Sequence, residues 1–227
     1  MSEMQSRARA SLPALRVPLY RLGDFTLSVF FTLAAVARFT AAAGSASDGD
    51  RLEALHHAST GLFMGICALL FLWRGPARGR STSIIPKVVA VVGTWSIVPL
   101  LWQPIIHEAN WVLLLSSIGI LASNGFIIWA VLTLRRSLSI FPEARDLIRH
   151  GPYGIVRHPL YVGHIVTYTL VLLPRFAPLA IAFAVLGIAG EVWRARNEEA
   201  VLGAAFPAYG EYAATTPRFV PRLPSRA

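Results

Sequence analysis

Six apolar segments, each close to the length of a membrane span, constrain the fold of this chain more than any other feature. A transmembrane helix needs about 20 predominantly apolar residues. The predicted spans cover residues 25–43, 55–73, 84–102, 111–134, 159–173 and 176–193. Of the 227 residues, 55% are hydrophobic and only 15% charged, which is more apolar surface than a soluble domain of this size could bury. We therefore predict an all-α, integral-membrane helical bundle of about six transmembrane helices.

The last two apolar segments are joined very closely. Only Pro174 and Arg175 separate the fifth segment from the sixth, which predicts a tight C-terminal helical hairpin or a re-entrant pair. No Ser/Gly/Pro-rich linker divides the apolar blocks. We therefore expect one integral-membrane domain over residues 1–227, with N-terminal transmembrane helices in 1–134 and a more polar region in 135–227.

Positive charge is distributed unevenly between the two sides of this topology. If the N-terminus is cytoplasmic, 18 of the 21 Lys and Arg residues fall on the cytoplasmic side, and only Arg38, Arg51 and Arg175 fall elsewhere. Cytoplasmic loops are enriched in Lys and Arg, so both termini are predicted to be cytoplasmic. The bias also explains the net charge of +9 without a nucleic-acid partner. The predicted cytoplasmic residues are Arg7, Arg9, Arg16, Arg21, Arg74, Arg78, Arg80, Lys87, Arg135, Arg136, Arg145, Arg149, Arg157, Arg194, Arg196, Arg218, Arg222 and Arg226.

Small and polar residues inside the spans predict helix packing. Gly61 with Gly65, and Gly119 with Ser123, form small-xxx-small pairs that allow close approach of helix backbones. Asn124 is expected to hydrogen-bond within the bundle.

Cysteine and histidine spacing predicts neither a disulfide nor a metal site. Cys67 is the only cysteine and lies within an apolar run, where packing is its expected role. His56, His57 and His107 are not spaced with carboxylates as metal ligands, so they are predicted to be surface residues.

The first cluster with candidate chemistry is RHGPYGIVRHPLYVG, residues 149–163. Pro159 suits the first turn of a helix, which makes His158 the N-cap beside free backbone N–H groups. Such a position favours an anionic ligand group. Tyr161 follows nearly one turn later, and Gly163 removes a side chain where another group could come close. An ordinary helix start at a membrane interface fits the same spacing equally well.

The second cluster is RARNEE, residues 194–199, after the last apolar segment. Arg194 and Glu198 are four residues apart and share one helical face, while Glu199 is expected to point elsewhere. An exposed ion pair of this kind contributes little to stability. We expect the two clusters to meet at the inner membrane face and to form one cofactor site.

Taken in order, these motifs resemble a known family. A basic loop, GPY, RHP-x-Y-x-G, an apolar hairpin, R-x-x-x-E-E-x-x-L and the tail FPAYGEYAATTPRFVPRL are similar to the isoprenylcysteine carboxyl methyltransferase family. Its superfamily of membrane methyltransferases includes phospholipid N-methyltransferases. The resemblance covers residues 134–223 and implies that residues 135–227 form a methyltransferase-like catalytic region that uses S-adenosyl-L-methionine.

The resemblance also implies site residues. Arg194 and Glu198 would be catalytic, with Arg194 binding the acceptor substrate. Two positions depart from the family pattern: Leu138 replaces a polar residue of eukaryotic members, and Gly154 gives GPYG instead of GPYR. The implied cofactor-binding residues are Arg145, Asp146, Leu147, Ile148, Tyr153, His158, Pro159, Leu160, Tyr161 and Glu198.

The function that this resemblance implies is methylation of a lipophilic, membrane-embedded acceptor by S-adenosylmethionine. A carboxylate such as isoprenylcysteine is favoured, because it is ionised at pH 7 and Arg194 offers a two-pronged cation. Alternatives are phospholipid, amine or thiol methylation in the same superfamily, a membrane NADPH-dependent sterol-type reductase, and a non-catalytic membrane protein. The expected partners are a lipophilic or prenylated substrate and membrane lipid, with no nucleic acid.

Overall fold

The computed structural model describes residues 19–73, 79–80, 83–140 and 143–222. Its framework is helical, which confirms the predicted all-α class. The helices are α1 Leu19–Ser47, α2 Arg51–Trp73, α3 Ile85–Trp95, α4 Ile97–Leu101, α5 Asn110–Leu134, α6 Pro159–Leu172, α7 Pro178–Ala205 and α8 Tyr209–Thr215. Short 3-10 turns occupy Arg135–Ser137, Gly151–Gly154 and Leu173–Arg175, and a two-residue antiparallel ladder joins β1 Gly79–Arg80 to β2 Glu143–Ala144.

Within the described residues, four helices are long and apolar enough to cross a membrane, so the chain is a membrane protein. They span Gly23–Ser47, Arg51–Trp73, Asn110–Ser137 and Pro178–Ala205. The prediction of six full spans needs correction at the other two segments. The 14 residues of α6 rise only about 21 Å at 1.5 Å per residue, short of a hydrocarbon core of about 30 Å.

The third predicted span is broken into α3 and α4 near Ser96. Pro99 has no backbone N–H, so it cannot donate to Trp95 one turn earlier, and the helix is interrupted there. The Ser96 hydroxyl instead hydrogen-bonds the Gly93 carbonyl at 2.8 Å and the Tyr168 hydroxyl at 2.9 Å. The break is therefore tied to α6.

The C-terminal hairpin of α6 and α7 is present as predicted, and both ends of the bundle are fastened. At its turn, the backbone N–H groups of Ile106 and His107 donate to the Pro174 carbonyl at 2.9 and 3.1 Å. Arg175 Nε also donates to the Gln103 carbonyl at 3.1 Å. At the opposite end, β1 and β2 pair the second inter-helix loop with the segment after α5. Of the basic residues assigned to this end, Arg7, Arg9, Arg16, Arg74, Arg78 and Arg226 lie outside the described residues.

Glycines permit two close helix crossings. A Cβ at Gly163 would lie 2.4 Å from Ile127 Cγ1, which confirms the close approach predicted at this position. Ser123 Oγ on α5 donates to the Gly163 carbonyl at 2.8 Å. On the other side of the hairpin, a Cβ at Gly190 would lie 2.7 Å from the Cα of Gly93. The α6–α7 hairpin is thus packed directly against α5 and α3.

The predicted packing role of α5 is also confirmed. Asn124 Nδ2 donates to Ser59 Oγ at 2.9 Å and to Thr60 Oγ1 at 3.2 Å, which links α5 to α2. A Cβ at Gly119 would lie 2.8 Å from Leu170 Cδ1 on α6. By contrast, no atom lies within 4 Å of a Cβ at Gly65.

Candidate functional site

A pocket opens at the end of the bundle where the strand ladder lies. Its volume is about 450 Å³, most of which is open to solvent, so it is a shallow cleft and not an enclosed cavity. It lies between the segment before α6, the last turns of α7, and α8. Its lining residues are Leu134, Ser137, Glu143, Arg145, Asp146, Leu147, Ile148, Tyr153, Arg157, His158, Glu198, Leu202, Tyr209 and Tyr212.

The predicted cofactor residues divide into two groups around this pocket. Seven of the ten line it, and the other three, Pro159, Leu160 and Tyr161, lie behind the wall on the first turn of α6. The substrate-binding residue Arg194 does not line it either. The two sequence clusters therefore meet in one place, while the ligand roles of these residues stay predictions.

Arg145 gives the pocket a buried cationic group. Its side chain is 2% exposed, and its Nη2 donates to Glu143 Oε2 at 2.6 Å. Among the described residues, its Nε and Nη1 have no hydrogen-bond partner. A buried N–H group left without an acceptor costs about 1–3 kcal/mol. An anionic ligand group in this pocket would relieve that cost.

His158 is the N-cap of α6, with Pro159 in the first turn, as the sequence predicts. The residue is only 4% exposed. Its Nε2 lies 3.0 Å from Glu199 Oε1, and its Nδ1 lies 3.8 Å from Glu198 Oε2. Its ring stacks on Tyr161 with centroids 5.4 Å apart and planes at 10°. The imidazole is thus held between two carboxylates and an aromatic ring.

Glu199, which was expected to point away from the site, is instead the most highly connected carboxylate of the cluster. Besides His158, it contacts Arg157 Nη1 at 3.2 Å and accepts from Arg218 Nε at 2.8 Å and from Arg218 Nη2. The backbone explains this arrangement, because Arg157 N donates to the Pro217 carbonyl at 2.8 Å and His158 N to the Arg218 carbonyl at 3.2 Å. The C-terminal segment, residues 216–222, therefore lies across the start of α6.

Arg194 does not pair with Glu198, contrary to the expected four-residue pairing. Its Nη1 donates to both carboxylate oxygens of Glu191, at 3.2 and 2.9 Å, and its Nη2 to the Ile140 carbonyl at 3.2 Å. Its guanidinium also lies 4.8 Å from the centre of the Tyr161 ring. Glu198 accepts a hydrogen bond from the Tyr161 hydroxyl at 2.8 Å instead. Arg194 thus supports the pocket wall from behind.

Sequence reasoning missed Glu191 and His164. Glu191 is 0% exposed within α7, and its Oε1 lies 3.0 Å from His164 Nδ1 on α6. Ionisable residues inside membrane spans are costly and commonly functional. A single carboxylate near the end of the sixth apolar segment was therefore the available signal.

Three tyrosines form a neutral, hydrogen-bonded wall beside the pocket. Burial raises the pKa of Tyr153 well above its usual value and that of Tyr209 to about 12. The Tyr212 hydroxyl donates to the Tyr153 carbonyl at 2.6 Å, and Arg157 Nη1 donates to the Tyr209 hydroxyl at 3.5 Å. These contacts fasten α8 to the segment before α6.

Comparison with known proteins gives two relatives. The chain is 32% identical over 145 residues to the cobalt-zinc-cadmium resistance protein CzcN of Cupriavidus metallidurans, which covers 59% of this chain and 62% of the relative. It is 37% identical over 89 residues to the nickel-cobalt-cadmium resistance protein NccN of Alcaligenes xylosoxydans xylosoxydans, covering 36% of this chain and 38% of the relative. Each match spans less than two thirds of the relative. No family model matches the chain.

These relatives overturn the functional identification from motifs. Both are named as metal-resistance proteins, so the assignment to the isoprenylcysteine carboxyl methyltransferase family is wrong. The methyltransferase activity expected from that assignment is therefore wrong as well. The alternatives of phospholipid, amine or thiol methylation and of a sterol-type reductase do not match either. In the described ranges, no group of three or more His, Cys, Asp or Glu side chains is arranged to hold a metal ion.

Proposed function

We propose that this chain is an integral-membrane component of resistance to divalent transition-metal ions of the cobalt, zinc, cadmium and nickel type. The observation that carries the proposal is its similarity to two proteins named for resistance to these ions, at 32% and 37% identity. The longer match extends over 145 residues and therefore beyond either polar cluster alone. The four span-length helices agree with a protein that acts at the membrane.

The proposed orientation places both termini in the cytoplasm. Its support is the predicted excess of Lys and Arg on that side. The exposed Arg135, Arg136 and Arg149 and the pocket lie at the end of the bundle that carries the strand ladder. Reporter domains fused after residue 222 and within residues 103–109 should report opposite sides of the membrane. The same side for both would remove the proposed topology.

The pocket is proposed to hold an organic anion or zwitterion. Arg145 carries two buried N–H groups that find no acceptor among the described residues, while Glu198 offers a carboxylate whose side chain is 32% exposed. S-adenosylmethionine, which combines a carboxylate with an ammonium group, fits that pair of charges. We propose it as a ligand of the pocket, without any methyl transfer. In the bound state, Arg145 would hold the carboxylate and Glu198 the ammonium group or a ribose hydroxyl.

A growth experiment tests the proposed resistance. Cells that lack their own copy of the gene would express the chain, and growth would be followed in graded cobalt, zinc, cadmium and nickel salts, with magnesium as the control cation. We expect the wild-type chain to raise the inhibitory concentration of at least one transition metal and to leave magnesium tolerance unchanged. Unchanged tolerance to all four metals, with the protein present in the membrane, would overturn the proposal.

Two variants connect resistance to the pocket. Arg145→Gln removes the buried guanidinium, and Arg196→Gln is the matched control because Arg196 is exposed on α7 and does not line the pocket. We expect resistance to fall only for Arg145→Gln.

Calorimetric titration of both purified variants with S-adenosylmethionine then tests the ligand separately. Binding to wild type and to Arg196→Gln, with loss in Arg145→Gln, is the expected result, and no heat for wild type would reject this ligand.

A further inference from the structure

The cytoplasmic-side end of α5 carries a basic surface that the pocket does not use. Arg135 is the C-cap of the helix and has a positive φ of 50°, so the α-helix ends there. The side chains of Arg135 and Arg136 are both exposed. A helix C-terminus carries roughly half a negative elementary charge, so the two positive charges of Arg135 and Arg136 leave this helix end with a net positive charge.

A second basic segment is packed beside this helix end. A Cβ at Gly151, where φ is 59°, would lie 3.3 Å from Thr133 Oγ1 and 3.9 Å from Trp129 Nε1. This contact lays the loop before α6 against the last turns of α5, and Arg149 lies in that loop two residues before Gly151. Within the described part of the chain, none of these three arginines forms a salt bridge with a carboxylate.

An exposed apolar surface continues directly from the arginines along α5. Trp129 is 47% exposed and Leu132 is 48% exposed, and Ile155 of the adjoining loop is 47% exposed. One turn before Trp129, no atom lies within 4 Å of a Cβ at Gly125, which leaves a notch in this face. Tryptophan favours the level of lipid headgroups, so Trp129 marks the boundary between the two surfaces.

From this juxtaposition we propose that Arg135, Arg136 and Arg149 bind the phosphate of an anionic phospholipid, whose acyl chain lies along the Trp129–Gly125 face of α5. Three exposed guanidinium groups match an anionic headgroup, and basic sites at this level of a helical bundle bind such lipids. A soluble phosphate would use only the charged half of the surface, whereas a phospholipid also covers its apolar half. The site does not depend on the ligand of the pocket or on the proposed metal resistance.

Lipid exchange on the purified full-length protein tests this site. Protein in mixed micelles that contain phosphatidylglycerol and phosphatidylcholine would be examined by native mass spectrometry for the lipids that remain bound. We expect wild type to retain phosphatidylglycerol preferentially, with a preference that falls by about fivefold for each of the three arginines changed to glutamine. The matched control is Arg196→Gln, an exposed arginine at the same end on α7, which should retain the wild-type preference.

The remaining outcomes distinguish a phospholipid site from a site for small anions and from a surface without lipid preference. Equal retention of the two lipids by wild type would overturn the proposal, as would an unchanged preference in the triple variant. Competition by soluble glycerol phosphate as strong as that by the phospholipid would show a site for small anions only and would also overturn it. Trp129→Leu keeps all three cations, so it should weaken phosphatidylglycerol retention without abolishing the headgroup preference. Melting of each variant confirms that it is folded.

Discussion

Removing the carboxylate of Glu191 should destabilise the bundle more than removing any other carboxylate of the site. Its side chain is 0% exposed, and that of its partner Arg194 is 5% exposed. In Glu191→Ala the guanidinium would lose both hydrogen bonds to its carboxylate partner and keep the Ile140 carbonyl and the Tyr161 ring. Breaking a buried ion pair from one side costs about 3–5 kcal/mol of unfolding free energy, because the remaining charge stays buried.

The double variant separates charge burial from packing. Replacing both members of a buried ion pair by apolar residues is often neutral, so Glu191→Leu combined with Arg194→Leu should recover most of the lost stability. Glu198→Ala is the matched single-carboxylate control. Its side chain is 32% exposed and loses one hydrogen bond from Tyr161, which predicts a loss of about 1 kcal/mol.

Reversible unfolding in mixed detergent micelles, followed by circular dichroism, measures these free energies. The expected order of stability is wild type, then Glu198→Ala, then Glu191→Ala, with the double variant above Glu191→Ala. A Glu191→Ala protein as stable as Glu198→Ala would refute the reasoning. So would a Glu191→Leu, Arg194→Leu double variant whose loss equals the sum of the losses in the two single leucine variants, since the two charges would then be independent.

Three further perturbations follow from the geometry. Gly163→Ala should cost about 1–3 kcal/mol of unfolding free energy by overpacking, whereas Gly65→Ala should be neutral; thermal melting compares them. The Tyr209 phenol should ionise near pH 12, which tyrosinate absorbance would follow. Because its pKa is raised in the folded protein, its contribution to stability should be complete below pH 10 and lost as the pH rises toward 12. Arg218→Gln should release the C-terminal segment from Glu199, which faster hydrogen exchange in residues 216–222 would report.

Each of these predictions has its own contrary result. Equal melting of the two glycine variants would show that α5 moves away from a Cβ that starts 2.4 Å from Ile127 Cγ1. An unchanged absorbance transition near pH 12 in Tyr209→Phe would assign that transition to another phenol. For the C-terminal segment, Arg222→Gln is the control because Arg222 is exposed and its side chain hydrogen-bonds only backbone carbonyls, at 3.2 and 3.5 Å. Equal exchange in both arginine variants would count against the role of Arg218.

Local rules predicted the parts of the fold that depend on local sequence. The proline at the first turn of α6 placed His158 at its N-cap, and Pro174 with Arg175 predicted the tight hairpin. The missing side chain of Gly163 predicted the close approach of another group, and the structure shows that this group is Ile127 of α5. Apolar run length was less informative for the third span, because Pro99 interrupts its helix although the apolar run continues through it.

Helical spacing alone did not determine the partners of Arg194 and Glu199. Spacing along α7 allowed Arg194 to pair with Glu198 four residues later or with Glu191 three residues earlier, and the second pairing is the one that forms. For Glu199, the C-terminal segment supplies Arg218 from 19 residues away. That partner has no periodic signature in a single sequence. Motif resemblance had the same weakness, since a shared arrangement of helices and polar clusters does not determine function.

The contacts of the site also bear on how it could serve metal resistance. Its best metal donors are already engaged: His158 Nε2 with Glu199, and Glu199 with Arg157 and Arg218. A divalent cation at Glu199 would have to displace two guanidinium groups, and the nearby charge of Arg145 would oppose it as well. An organic anion meets the opposite situation, because in the part of the chain that the structure describes Arg145 and Arg157 both have buried N–H groups without acceptors. The electrostatics therefore favour a role in which the pocket binds an organic ligand and the metal ion itself is handled elsewhere.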